Sequence, residues 1–200
     1  MRYIKKKDLL GSVVIFILNM SREKEKPSEV KKEGKEWLLC GLEDSRNRLL
    51  DYIEENDVSD PGSMENSDLG GYSNPKVEKI DKRAVDDVYL SGKWEALVSP
   101  RKVDEVWNKI KSLVEDDKIW GAQVTTKWIR EKKESEKHII RVYTPNYLDE
   151  NDVIRVGNLL KEHCEIEKNL CYKPDIYNIL QVYSDKGDEM KLPREIRYEL

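Results

Sequence analysis

The densest concentration of residues able to do chemistry lies between 125 and 141. It holds six Lys or Arg and three Glu, a local net charge of +3 in a chain whose formal net charge is −4. Lys127, Arg130, Lys132, Lys133 and Arg141 are there, with Trp128 and His138 among them. Cations spaced along a short segment can meet a phosphate backbone, and an indole set between them can stack on a base. The plainer alternative is a solvated hairpin tip with interspersed charge. A second polar cluster is Tyr172-Lys173-Pro174-Asp175, which read locally is a turn: Pro fixes φ and Asp bonds nearby backbone. Other chemistries have less to stand on. His138 and His163 have no Asp, Glu or Cys at ligand spacing, so no metal site is expected. No phosphate loop, dinucleotide fingerprint or nucleophile elbow occurs, and no cofactor is implied. Cys40, Cys164 and Cys171 are an odd count without a two-residue spacing, which points to a reducing, cytoplasmic setting rather than a disulfide scaffold.

Composition bounds what can position these groups. A chain of 200 residues with 38% hydrophobic and 38% charged residues supports one modest core with extensions. One Phe against five Trp and ten Tyr means that most aromatic surface carries a polar handle needing a partner when buried. Near-balanced charge excludes a wholly basic nucleic-acid binder, so any anion binding is local. No stretch reaches 18 apolar residues, so no ordinary membrane span is expected.

Residues 1–35 read as an N-terminal tail. Lys5, Lys6 and Lys7 precede a short apolar stretch, Val13 to Leu18, and the favoured reading is translated upstream sequence with the true start at Met20. Residues 36–55 read as an amphipathic helix on the spacing of Trp37, Leu38, Leu42, Leu49, Leu50 and Ile53, with Gly41 as an early bend. Residues 56–87 read as an acidic linker: from 54 to 92 there are ten acidic and four basic residues, with Pro61-Gly62, Gly70-Gly71 and Asn74-Pro75 as turn signals. The pattern sharpens over 88–184, the expected α+β core. Lys93 to Val98 reads as a strand. Ser99-Pro100 starts a helix whose apolar face is Val103, Val106, Trp107, Ile110, Leu113 and Val114. Gly121 to Trp128 reads as a strand, Arg130 to Lys137 as a charged turn, and His138 to Thr144 as a strand stopped by Pro145. Asp149 caps a helix ending near His163, and Leu170 to Ile176 and Asn178 to Ser184 supply further strands. Residues 185–200 are a C-terminal tail. Trp94 and Trp107 fall on apolar faces and are expected in the core.

Several segments taken in order resemble the family typified by the basophilic-leukaemia-expressed protein. They are Gly92-Lys93-Trp94, Val103-Asp104-Glu105-Val106-Trp107, Gly121 to Thr126, Val142-Tyr143-Thr144-Pro145-Asn146-Tyr147 with Asp149, Asp152-Val153 and Arg155-Val156, and Tyr172-Lys173-Pro174-Asp175. The resemblance implies a fold like that of cap-binding translation initiation factor 4E, a curved antiparallel sheet with helices packed on one face. A ferredoxin-like domain is the alternative. Gln123 stands where the family often has Lys. The chain is also faintly similar to phosphothreonine lyases. That similarity implies a phosphate-contacting role for Lys93 and a base at Lys118, while Glu95 and Gln123 replace the lyase His and Arg, and His138 and Lys173 are the substitutes the chain offers.

The leading expectation is a non-catalytic binding protein. It would take RNA or a nucleotide phosphate through one face of the sheet and a basic hairpin bearing Lys127, Trp128, Arg130, Lys132, Lys133 and Arg141. The rivals are a lyase-like enzyme acting on phosphorylated protein and a protein-interaction module using a sheet edge. On the concave face of the sheet a binding protein should show an exposed aromatic with basic neighbours, a lyase a lysine, an acid and further cations converging within a few ångströms, and a plain interaction module neither.

Overall fold

A computed structural model describes residues 25–42, 45–166, 170–182, 192 and 196–200. Six strands, β1 Trp37–Cys40, β2 Gly92–Val98, β3 Gly121–Thr125, β4 His138–Thr144, β5 Cys171–Pro174 and β6 Tyr198–Glu199, form one curved antiparallel sheet in the order β1-β3-β4-β2-β5-β6. Helices are α1 Ser45–Asn56, α2 Pro75–Asp87, α3 Val103–Glu115, α4 Lys127–Lys132, α5 Glu150–Cys164 and α6 Asp175–Ile179. The run β2-α3-β3-α4-β4-α5-β5 follows the βαββαβ order shared by the ferredoxin-like alternative, with the short α4 inserted between β3 and β4. Strands β1 and β6 extend it to six at the two edges.

Period-two alternation divides the sheet residues into two faces. Trp94, Ala96 and Val98 of β2, Ala122 and Val124 of β3, Ile140 and Val142 of β4 and Tyr172 of β5 are buried in one core with the apolar stripes of α3 and α5. Trp94 and Trp107 are both there, as expected. The Trp94 indole donates to the Val153 carbonyl at 2.8 Å and meets Tyr172 edge to face at 5.3 Å. Helix α5 comes this close because residue 157 is Gly: a Cβ there would lie 2.8 Å from the Trp94 ring.

Several sequence expectations are corrected. The amphipathic helix over 36–55 is a strand followed by a helix. Gly41 at φ +75° ends β1, where a Cβ would sit 2.6 Å from Val114, and α1 starts only at Ser45. The supposed linker over 56–87 contains α2, capped by Asn74 with Pro75 at its start, and buries Ile80, Ala84 and Val85. Its acidic tally concealed this apolar stripe. Strand β3 stops at Thr125 because the Thr126 side chain accepts from Ile129 N–H and caps α4, so the basic hairpin is a short helix and a turn. Asn178 to Ser184 contributes no strand among the described residues; Pro174 precedes helix α6 instead. The two tails also take part. Ser28 donates from N–H and Oγ to the Asp104 carboxylate, and Lys127 and Trp128 donate to the Pro27 and Val30 carbonyls. At the other end β6 pairs with β5, and Leu170 and Leu200 exchange backbone hydrogen bonds. The apolar stretch before Met20 lies outside the described residues.

Candidate functional site

The second face of the sheet carries what the core face excludes. Because register is fixed by pairing, its residues fall into rows across the strands. One row runs Lys173, Lys93, Tyr143, Gly121; the next runs Glu199, Cys171, Glu95, Arg141, Gln123, Leu39. A third joins Leu97 to Ile139, with Thr125 and Trp37 paired beyond them. The face therefore has a charged end and an apolar end.

At the charged end three cations from three strands gather around Glu95. Arg141 Nε donates to Glu95 Oε1 at 2.7 Å, and Lys173 Nζ lies 3.5 Å from Oε2. Lys93 Nζ is ion-paired with Asp175, whose other oxygen accepts from Ser91 Oγ at 2.6 Å, and it stands 5.9 Å from the centroid of the Tyr143 ring. The Arg141 guanidinium lies over the Trp37 ring at 4.8 Å. Burial is the largest single influence on Glu95 and pushes its carboxyl up. Arg141, with Lys173 and Lys93 behind it, outweighs that and holds the carboxyl below the usual carboxylate range. Burial, reinforced by Asp175, pushes the Tyr143 phenol up, so it stays a neutral hydrogen-bonding group. The three cations meet Glu95 and Asp175, with Glu199 at the β6 end of the same row, so positive and negative charges balance; the paired side chains keep roughly a quarter of their surface exposed except Lys93, at 6%.

The residues expected from sequence divide between this face and elsewhere. Lys93, Lys173 and Arg141 are brought together on it, with Gln123 beside Arg141. His138 is not. It occupies a core-face position with no exposed surface, its Nδ1 is 2.7 Å from the Thr125 carbonyl, and its Nε2 has no partner. Burial lowers its basicity. Lys118 is exposed in the turn between α3 and β3, and its carbonyl accepts from Arg155. Lys127, Trp128, Arg130, Lys132 and Lys133 belong to α4 and its cap, outside the rows of the sheet. Lys132 there covers the Trp128 ring at 4.6 Å, and Arg130 donates to the Ser135 carbonyl. Trp37, Tyr143, Leu97 and Ile139 were not picked out as site residues from sequence, and Glu95 and Asp175 only as a departure from the lyase pattern and as part of a turn. Period-two alternation through Lys93-Trp94-Glu95 and Ile139-Ile140-Arg141 was the available signal for all but Trp37 and Asp175.

The face sets cations beside aromatic and aliphatic side chains, chemistry that can meet an anionic group attached to something flat or apolar. Among the described residues there is no group of His, Cys, Asp or Glu that could hold a metal ion, and no helix long and apolar enough to cross a membrane.

The model of the family described as basophilic leukemia-expressed protein Bles03 matches residues 12–181, and the chain belongs to that family. Among solved structures it is similar to a schistosome eIF4E complexed with m7GpppA and 4E-BP, at 19% identity and a TM-score of 0.40, over 74% of this chain and 79% of that one. It is also similar to C. elegans eIF4E-3 in complex with the 4E-binding protein Mextli and cap analog, at 15% identity and a TM-score of 0.39, over 76% and 80%. For Ascaris suum eIF4E-3 with m2,2,7G cap the figures are 19% and 0.36; 43% of this chain is covered, which spans about half, 51%, of that one. Similarity this low transfers neither ligand nor partner.

Proposed function

We propose that this member of the basophilic leukemia-expressed protein family is a binding protein that takes a phosphorylated ligand, RNA or a free nucleotide, on the open face of its sheet. The observation that carries the reading is the gathering of Lys93, Arg141 and Lys173, from three strands, on one patch of that face. Strand pairing fixes their Cα positions, so the backbone needs no ordering when an anion arrives, and the side chains need only turn to it from Glu95 and Asp175. Arg141 adds a planar fork suited to phosphate oxygens, and its stacking on Trp37 limits how far it can swing. The basic residues of α4, outside the rows of the sheet, are a second surface for RNA.

The convergence of a lysine, an acid and two further cations also favours a second reading, β-elimination of phosphate from a phosphorylated side chain. Two features weigh against it. Glu95 is held ionised, the wrong state for a group that must give a proton to the leaving phosphate. Lys93 is ion-paired with Asp175, whereas a lysine base needs surroundings that disfavour its charge.

The test is binding of a short single-stranded RNA and of AMP to the wild-type chain, to Arg141→Gln with Lys173→Gln, and to a variant neutralised at Lys127, Arg130, Lys132 and Lys133. Each is measured at several salt concentrations. The open-face double variant should lose affinity for both ligands. The α4 variant should weaken only RNA, with a log–log salt slope reduced by roughly 0.7 for each phosphate it no longer neutralises. Absence of any binding at low salt by the wild-type chain refutes the reading. Release of phosphate from a phosphothreonine peptide, abolished in Lys93→Ala, would replace it with the enzyme.

A further inference from the structure

Resting on the phosphate reading, we infer that the open face is built for a single nucleoside phosphate, its phosphate at the Lys93–Arg141–Lys173 end and its base on Leu97 and Ile139, rather than for a polynucleotide strand. Three observations carry this. The first is the order of chemistry along β2 and β4. From Lys93 to Leu97 is four residues, about 13 Å at roughly 3.3 Å per residue. Within that span the face changes from Lys93 and Tyr143, through Glu95 and Arg141, to Leu97 and Ile139. Both ends of the ligand are thus specified on the same two strands.

The second is exposure. Leu97 is 64% exposed at a position whose strand neighbours Ala96 and Val98 are buried, and it is opposite the half-buried Ile139. A leucine left open on a strand next to a cationic cluster gains by being covered with something apolar on one side and anionic on the other. A base joined to a phosphate is such a ligand, and every base has an apolar face to offer.

The third is how the cationic patch ends. Toward β6 the row passes Cys171 and reaches Glu199, a carboxylate; toward β1 it passes to Gln123 and Leu39, both uncharged. Among the described residues of these rows, the cations fall on the adjacent strands β5, β2 and β4, about 10 Å across at the usual strand spacing. A phosphodiester backbone crossing the sheet would leave the cations on both sides and meet an acid on one. A mono-, di- or triphosphate does neither. Along the strands the face ends as well, since β2 stops at Val98, one residue past Leu97.

The experiment is calorimetric titration of the full chain with inorganic phosphate, ribose 5-phosphate, AMP and an oligoadenylate of five residues without terminal phosphates, repeated with Leu97→Asn. AMP should bind about 5-fold tighter than ribose 5-phosphate, what covering roughly 40 Å² of apolar surface on Leu97 and Ile139 supplies at about 25 cal/mol per Å². AMP should also bind tighter than the oligoadenylate. In Leu97→Asn the ratio of AMP to ribose 5-phosphate affinity should fall toward one. Equal binding of AMP and ribose 5-phosphate by the wild-type chain overturns the inference but leaves the phosphate reading in place. Tighter binding of the oligoadenylate than of AMP also overturns it, in favour of a strand. If none of the four probes binds, the phosphate reading fails with it.

Discussion

Replacing Glu95 with Gln should tighten the binding of a phosphorylated ligand. Glu95 holds the place an incoming anion would take, accepting from Arg141 at 2.7 Å with Lys173 3.5 Å away. A phosphate engaging the same cations would bring its charge to about 6 Å from the carboxylate. Repulsion between two unit charges at that separation is about 0.7 kcal/mol in bulk water and about 2.8 kcal/mol at the effective dielectric of a partly buried surface pair. Glu95 keeps 22% of its side chain exposed, so a value between these is appropriate, and removing the charge should improve affinity about tenfold. Glutamine retains an acceptor for Arg141, so the cost to folding should stay near about 1 kcal/mol. Titration with AMP and with inorganic phosphate at low salt, beside a denaturant unfolding curve for each protein, reads both quantities. The improvement should shrink as salt rises. An affinity equal to or weaker than that of the wild-type chain, in a variant that unfolds normally, would refute the reasoning: Glu95 would then be a ligand contact, or the anion would bind elsewhere.

Three other outcomes follow from the packing. Trp107→Ala should destabilise by about 3–5 kcal/mol in denaturant unfolding, because Trp107 is 2% exposed at the centre of the buried face of α3; a loss under about 1 kcal/mol would contradict its place there. His138 is buried with its pKa lowered, so the native state takes up its proton less readily than the unfolded chain. Its contribution is intact above the ordinary value of about 6.5 and is lost as pH falls from there toward the lowered one. Unfolding free energies between pH 8 and 5 should show that slope, and His138→Asn should flatten it. Arg197→Ala should cost about 2–4 kcal/mol, since it strands Asp81, a residue with no exposed surface that Arg197 meets at 2.9 Å and Tyr147 at 2.7 Å. Arg197→Ala with Asp81→Asn should recover part of the loss, and unfolding of the two variants with equal ease would contradict the pairing.

What was legible in the sequence follows from how local its cause is. The β2–α3 and β4–α5 pairs were readable because each strand has a clean alternation and each helix a strong apolar stripe. Asp149 caps α5 as expected, whereas Ser99-Pro100 forms a turn and α3 starts only at Val103, after Lys102. Trp37 to Cys40 was misread because a four-residue apolar strand joined to a helix through Gly41 mimics one longer helix with a bend. The α2 stripe of Ile80, Ala84 and Val85 was hidden by the acidic residues around it, and only tertiary packing on the core reveals it. The site was half legible. Alternation puts Lys93, Glu95 and Leu97 on one face, and Arg141 with Ile139 on another strand's face, but sequence does not say that β2 and β4 are neighbours or that β5 brings Lys173 alongside. Charge density pointed to α4, whereas the cations that converge do so through strand pairing across long sequence separations. Trp37 under Arg141 joins positions more than a hundred residues apart, and no local pattern carries that.

On the reading proposed above, the open face receives the ligand at its Lys93–Arg141–Lys173 end. Amide NMR of the isotope-labelled chain titrated with AMP tests it most directly. Saturable shifts should map to Lys93 through Leu97, to Ile139 through Tyr143 and to Lys173, and be absent in Arg141→Gln with Lys173→Gln. Shifts confined to Lys127 through Lys133, or no saturable shift on the open face at any concentration, would contradict it.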